Sequence, residues 1–360
     1  MIRVAIISPY SLSVPGGVQG QVLGLARSLR ERGLDARVIG PCDGPPPEPG
    51  VITTGPSARI ETNGSISPMA SDQKSASEHT LEAIRRFEPD VLHLHEPLVP
   101  GPTSAALLGS QVPKVGTFHA ASENGHAGYR ALKKVAVSAA RRLTIRTAVS
   151  PDAQRLVEEA LGGSYVLVPN GVAVDDLAKA EPHPSPVPSV FFLGRHEPRK
   201  GLGVLLDAWE GVERDAVLWV GSDGPETAEL KARATPATEW VGRLSDSARA
   251  SRMNGATVFC APSLGQESFG IVLLEAMAAG TAVVASDIAG YRNVATPDQE
   301  ALMVPPGDSA ALRLALQRVL DDEALRGRLI AAGRIRASQH SLAKVAARYV
   351  PIYESAIALG

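Results

Sequence analysis

Short, uninterrupted apolar runs alternate along the chain with longer segments whose apolar positions recur at helical spacing. The runs predict strands at 3–8, 36–40, 90–94, 114–117, 145–149 and 165–168. Further strands are predicted at 190–193, 217–220, 257–260, 282–285 and 301–304. The periodic segments predict helices at 19–32, 75–87, 201–210 and 308–320. A strand that is apolar at successive positions is buried on both faces, as in parallel sheets covered by helices. The stretch "EPHPSPVPSV" (181–190) offers few backbone donors and predicts a linker. The expected architecture is α/β, with two doubly wound parallel-sheet domains at 1–180 and 181–340. Ligands of such sheets sit at the carboxyl ends of the strands, so chemistry is sought immediately after strands.

Length and composition agree with that picture. A chain of 360 residues exceeds a usual single domain. Hydrophobic residues make up 44% but aromatic ones only 4%, which suits an Ala/Val/Leu-rich α/β protein. A net charge of −2 gives no electrostatic footprint for nucleic acid, so no nucleic-acid partner is expected. Cys42 and Cys260 stand far apart, without disulfide or metal spacing, which fits a reducing cytoplasm. The opening run "MIRVAII" is too short for a signal peptide, and Pro9, Pro15, Gly16 and Gly17 break any membrane helix over 4–26. No transmembrane segment is predicted, so membrane contact, if any, is peripheral.

Several loops after strands carry candidate chemistry. Gly16 and Gly17 precede a helix, whose free N–H groups can meet an anion; a tight turn is the alternative. A dinucleotide site is excluded, because G-x-G-x-x-G is missing and the second strand ends at Gly40-Pro41. "DVLHLHEP" places His93 and His95 on one strand face with Glu96 beside them; buried hydrogen-bonded histidines are favoured over a metal site. His119, in "TFHA", ends another strand and should point into the crevice, although a lone histidine is more often structural. "FFLGRHEPRKG" sets Arg195, Arg199 and Lys200 after a strand, a cluster suited to phosphate. In "GQESFGIVLLEAMAAG" (265–280), Glu267 precedes an apolar helix and Glu275 lies inside it. Two carboxylates there can bracket a sugar nucleotide, with helix N–H groups meeting its oxygens. The alternative is a capping Glu267 and a solvent-facing Glu275.

With these motifs the chain resembles the retaining glycosyltransferases of the GT-B fold, in the large glycogen-synthase-like group. The E-x7-E pair Glu267 and Glu275 is that family's signature. The likeness extends over "PYSLSVPGGVQ", "NGS" (63–65), "DVLHLHEP", "TFH", "VPNGV", "LGRHEPRKGL" and "APSLGQESFGIVLLEAMAAGTAVVASD". Within the group it is most similar to actinobacterial GDP-mannose-dependent phosphatidylinositol α-mannosyltransferases. The resemblance implies two Rossmann-like domains facing a central cleft, with a C-terminal helix near 341–360 packed back on the first. It implies that Arg195 and Lys200 clamp the β-phosphate, with Gly16 and Gly17 near that phosphate or the sugar. His119 would contact the transferring mannose. Glu267 and the backbone of Ser268, Phe269, Gly270 and Ile271 would hold sugar hydroxyls, Glu275 the ribose, and Asp246 and Arg249 the guanine. Tyr10, Gln19, Asn63 and Ser65 would face the acceptor headgroup.

By the same resemblance the leaving diphosphate helps deprotonate the acceptor on one face, giving retention without an established protein nucleophile. No D-x-D occurs, and neither a metal nor another cofactor is expected. Thr62 and Pro68 stand where the lipid-mannosylating relatives carry an aromatic and an arginine. Residues 126–146 carry Leu132, Val135, Ala139 and Leu143 as an apolar stripe. Arg130, Lys133, Lys134, Arg141, Arg142 and Arg146 supply cations, so this helix is expected on an anionic bilayer or as an ordinary surface helix. The expected activity is mannose transfer from GDP-mannose to a phosphatidylinositol-type lipid at the cytoplasmic membrane face. The alternatives are a UDP-sugar or soluble-acceptor transferase, a sugar-nucleotide epimerase, and a nonenzymatic nucleotide-binding module.

Overall fold

The computed structural model describes residues 1–14, 16–62, 65–120 and 133–360. The chain divides into two compact units, Met1–Gly171 with Leu342–Gly360, and Val172–Ser341.

In the first unit seven parallel strands lie side by side in the order β3-β2-β1-β6-β7-β8-β9. They are β1 (Arg3–Ile7), β2 (Asp35–Gly40), β3 (Val51–Thr53), β6 (Val91–His95), β7 (Lys114–Phe118), β8 (Ile145–Ala148) and β9 (Val166–Leu167). The chain runs outward from β1 to β2 and β3, then returns to the other side of β1 as β6. That reversal opens a crevice at the carboxyl ends of β1 and β6. Val4 and Ile6 face one core layer, Ala5 and Ile7 the other, so burial on both faces explains the unbroken apolar run. The C-terminal helix Leu342–Leu359 packs on the helix Gly17–Glu31, with Val345, Tyr349 and Tyr353 buried in the same layer as Val22 and Leu25.

Between β3 and β6 an antiparallel hairpin pairs β4 (Ser57–Thr62) with β5 (Ser65–Ala70). Its register sets Thr62 opposite Ser65.

The second unit holds six parallel strands in the order β12-β11-β10-β13-β14-β15. They are β10 (Ser189–Leu193), β11 (Val217–Gly221), β12 (Thr238–Gly242), β13 (Val258–Ala261), β14 (Ala282–Ser286) and β15 (Ala301–Val304). The same reversal occurs at β10 and β13. The Pro-rich stretch 181–190 belongs to this unit: the His183 N–H donates to the Ser251 carbonyl, and the chain then enters β10.

The expected amphipathic helix over 126–146 requires correction. Residues 126–132, including Arg130 and Leu132, lie outside the described residues, and the described helix, Lys133–Ala140, stops before the cations at 141 and 142. Leu143 is buried against Gly116, where any side chain larger than hydrogen would meet it, and Ala136 and Ala140 face the core. Val135, placed in the apolar stripe, is exposed instead. Arg142 donates to the Leu108 carbonyl, while Arg146 sits on β8, bonded to the Gly162 carbonyl. Of the apolar stripe, Leu143 serves the core, whereas Val135 stays on the surface. Among the described residues no helix is long and apolar enough to cross a membrane.

Candidate active site

In the second unit the loops following β10 and β13 come together because glycines let them. Gly201 has φ +68°, and a Cβ there would overlap the Pro262 carbonyl oxygen. Gly290 likewise leaves room for the Glu267 carbonyl. The Leu264 N–H donates to the Arg199 carbonyl at 2.8 Å, tying the two loops. On this frame the charges alternate. Lys200 Nζ lies 2.6 Å from Glu267 Oε1, and Arg199 Nη1 lies 3.6 Å from the same oxygen. Ser263 Oγ also donates to Oε1, at 3.1 Å, and is itself within 2.8 Å of the Tyr291 hydroxyl. Glu197 accepts from Arg195 at 3.0 Å and from Arg199 at 3.1 Å. All described contacts of Glu267 thus fall on Oε1, leaving Oε2 to accept from a ligand hydroxyl.

Glu267 does not cap the following helix, Ile271–Ala279. Gly270 is its N-cap, at φ +83°, and no side chain bonds to the open first-turn amides. Those amides are suited to oxygen atoms of a ligand. A Cβ on Gly270 would press on Tyr291 and Val294, so the turn that presents Ser268, Phe269, Gly270 and Ile271 depends on glycine. The Phe269 ring is buried in the core, so at this position the backbone is what faces outward.

Glu275 is neither solvent-facing nor alone. Its Oε1 accepts from Arg249 Nη1 at 2.8 Å, and the side chain is 16% exposed. Burial raises its carboxyl above the usual range, and the Arg249 guanidinium pulls it back down. Arg249 Nη2 stands 3.4 Å from Asp246, whose carboxylate is 85% exposed at the start of the helix Asp246–Gly255. One guanidinium therefore bridges a largely buried carboxylate and an exposed one.

In the first unit, Gly16 is the N-cap of the helix Gly17–Glu31, and it packs against the amide of the buried Gln19. Tyr10 forms a bridge to Met69 of β5; burial and the nearby Glu96 push its phenol up, so it remains a protonated donor. Asn63 lies outside the described residues, and Ser65 is described by its backbone alone, on β5. His119 follows β7 and is buried, with Nε2 2.8 Å from His95 Nδ1. Burial lowers its pKa to about 4. Glu96, at φ +51°, accepts from the His119 and Ala120 N–H groups at 2.7 and 2.8 Å. Burial raises its carboxyl, opposed by those two bonds.

His93 and His95 do share a face, with ring centroids 4.3 Å apart. They are buried and hydrogen-bonded: His93 joins the Tyr353 hydroxyl at 2.8 Å and Thr117 at 2.6 Å. Among the described residues no three His, Cys, Asp or Glu side chains group to hold a metal. Ser263 and Tyr291 went unnoticed in the sequence, and Glu197 was visible only as an acid between cations. The sequence gives no signal that Glu96 accepts from the His119 and Ala120 amides.

This arrangement can bind polyanion, sugar hydroxyls and a diol in the second unit. Comparisons with known proteins give the family. Residues 187–322 match the family described as Glycosyl transferases group 1, and residues 15–176 match Glycosyltransferase Family 4. A phosphatidyl-myo-inositol mannosyltransferase of Mycobacterium leprae is 40% identical over 375 residues, covering 100% of this chain and 98% of that protein. The structure of sucrose-phosphate synthase from Thermosynechococcus elongatus superimposes with a TM-score of 0.76 at 21% identity, covering 100% of both chains. Anabaena HepE, solved with UDP and glucose, gives 0.76 at 19% identity, covering 99% of this chain and 100% of that one. With two parallel sheets, full-length kinship and this site chemistry, the chain belongs to the GT-B glycosyltransferases, in the family that includes the phosphatidyl-myo-inositol mannosyltransferases.

Proposed function

We propose that this glycosyltransferase moves mannose from GDP-mannose, with retention, onto the inositol of phosphatidyl-myo-inositol at the cytoplasmic membrane face. The observation that carries the reading is its 40% identity, end to end, with a protein named for that activity. The site chemistry is compatible with each step. Lys200 has three donor hydrogens and uses one on Glu267, so others can meet the β-phosphate beside Arg195. Charge builds on the diphosphate as the glycosidic bond breaks, and fixed cations lower that barrier most. Glu267 Oε2 and the Gly270–Ile271 amides receive the mannose hydroxyls. Glu275 takes the ribose, and the exposed Asp246 can accept from the two edge donors of guanine. The departing phosphate oxygen then takes the proton of the inositol hydroxyl that attacks from the same face. No metal is needed in this scheme. Tyr10, Gln19, Asn63 and Ser65 are proposed to face the acceptor, and Gly16 and Gly17 the phosphate or sugar.

The test is a melting screen followed by a transfer assay. GDP at about 100 times its Kd should add about 2.7 kcal/mol of stability, with UDP and ADP well behind. Transfer from GDP-mannose into phosphatidylinositol micelles should survive EDTA, and Lys200→Ala should lower it about a hundredfold. A preference for UDP, or activity lost to EDTA and restored by Mg²⁺, would remove this reading. Thr62 and Pro68, where the family resemblance leads one to expect an aromatic and an arginine, favour a second one: a soluble polyol or sugar acceptor. Efficient transfer to free inositol or a sugar, with none to the lipid, would establish it.

A further inference from the structure

The histidine pair at the carboxyl ends of β6 and β7 fixes more than a side-chain position. His95 Nδ1 and His119 Nε2 are 2.8 Å apart, the rings stack with centroids 5.0 Å apart, and both side chains are buried. A neutral imidazole carries one proton, so the shared bond has two possible forms. In one, His95 Nδ1–H donates to His119 Nε2. His95 Nε2 is then a bare lone pair, and the His119 proton sits on Nδ1. In the other, His119 Nε2–H donates, and His95 must carry its proton on Nε2.

His95 Nε2 decides between them. It is buried and has no hydrogen-bond partner among the described residues. A buried N–H without an acceptor is costlier and rarer than a buried lone pair without a donor. The first form is therefore selected. A doubly protonated ring is excluded as well, because burial holds both histidines below their ordinary range. The surroundings hold the geometry: Glu96 grips the His119 and Ala120 amides, and His93 beneath His95 is held by Tyr353 and Thr117.

We propose that His95 is a positioning residue that locks His119 in the Nδ1–H tautomer, so that His119 meets the sugar as a fixed hydrogen-bond donor. Its lone pair is committed to His95, and it cannot serve as the base that deprotonates the acceptor. The part concerning sugar rests on the proposed function; the tautomer does not. A donor of this kind can bind a hydroxyl or ring oxygen of the transferring hexose, and it leaves the acceptor proton to the departing phosphate.

The experiment reads the tautomer directly and then its consequence. Full-length protein labelled with 15N-histidine would be studied by long-range 1H–15N correlation at pH 7. His119→Gln and His95→Asn spectra would assign the two rings. Both rings should show a protonated Nδ1 and a bare Nε2. Protonated Nε2 on either ring overturns the proposal, whether or not the protein transfers mannose. For turnover, the Asn amide nitrogen overlays imidazole Nδ1, whereas the Gln amide overlays Nε2. His95→Asn should stay within about threefold of the native kcat, while His95→Gln and His95→Leu fall about tenfold, as for one lost hydrogen bond, with KM for the donor unchanged. Melting curves and GDP binding would verify folding of each variant. Equal loss in all three, or better retention by Gln than by Asn, refutes the lock. If GDP-mannose is not a substrate while the tautomers match, the proposed function fails and the lock stands.

Discussion

Arg249→Met isolates what the guanidinium does for Glu275. In the native protein the pair is 2.8 Å apart, with 31% and 16% of the two side chains exposed. Removing one partner of a buried pair costs about 3–5 kcal/mol, and partial exposure of Arg249 reduces that to roughly 2 kcal/mol. For a unit the size of Val172–Ser341 this corresponds to a fall in Tm of about 4–8 °C. The loss should depend on pH in one direction. Burial already raises the Glu275 carboxyl, and without Arg249 it rises further. Above the unfolded value of 4.5 the folded variant binds a proton that the unfolded chain does not. Stability therefore falls as pH rises from that value through the folded one, and the deficit against native protein should be small near pH 5 and largest near pH 8. Adding Glu275→Leu to Arg249→Met should restore most of the Tm, because both charges are then gone. Scanning calorimetry of the two variants and the native chain at pH 5, 6.5 and 8 measures all of this. A Tm deficit of the same size at every pH would mean that Arg249 acts through packing of its stem, and the reasoning about an uncompensated carboxylate would be wrong.

Other consequences are equally direct. Gly201→Ala forces a side chain onto the Pro262 carbonyl at φ +68°. It should cost about 2 kcal/mol or more and weaken nucleotide binding, and a native-like melt would show that the two loops do not need to touch. Three buried histidines bear on acid stability, with pKa values held to about 3 at His93 and about 4 at His119, and well below the usual range at His95. The unfolded chain takes up protons below 6.5 that the folded one refuses, so stability present at pH 7 is lost as pH falls from 6.5 toward 4, by up to about 1.4 kcal/mol per pH unit for each histidine. Urea midpoints that stay flat from pH 7 to pH 4.5 would contradict it.

How much of the fold can be read from the residues depends on where each strand sits. β1, β6, β7, β10, β13 and β14 are interior strands, and burial on both faces leaves them an unbroken apolar run. β3 and β12 are edge strands; Val51–Thr53 is too short to stand out, and "TEWVG" reads as polar. The hairpin β4–β5 escaped because its strands are partly polar and Pro68 sits in one of them.

The charges of the candidate site, Glu197 apart, can be picked out in the sequence, but their pairing cannot. Cations after β10 stand in sequence as a cluster, and so does the spacing from Glu267 to Glu275. Which of them pair does not, because pairing depends on loop approach rather than on spacing. Lys200 and Glu267 are 67 positions apart, and Arg249 and Glu275 are 26 apart. Around Glu267 the approach needs glycine: Gly201 leaves room for the Pro262 carbonyl and Gly290 for the Glu267 carbonyl. This pairing changes what the cations do. Unpaired, Arg195, Arg199 and Lys200 would repel one another and lose their geometry. Interleaved with Glu197 and Glu267, they are held in place before any anion arrives. A bound diphosphate then competes with carboxylates already in contact, so part of its attraction is cancelled in the ground state. The net positive charge of this cluster favours the anion, and the attraction grows as the diphosphate gains charge on departure. Preorganised cations of this kind stabilise the transition state more than the bound substrate, which is the difference that accelerates a transfer.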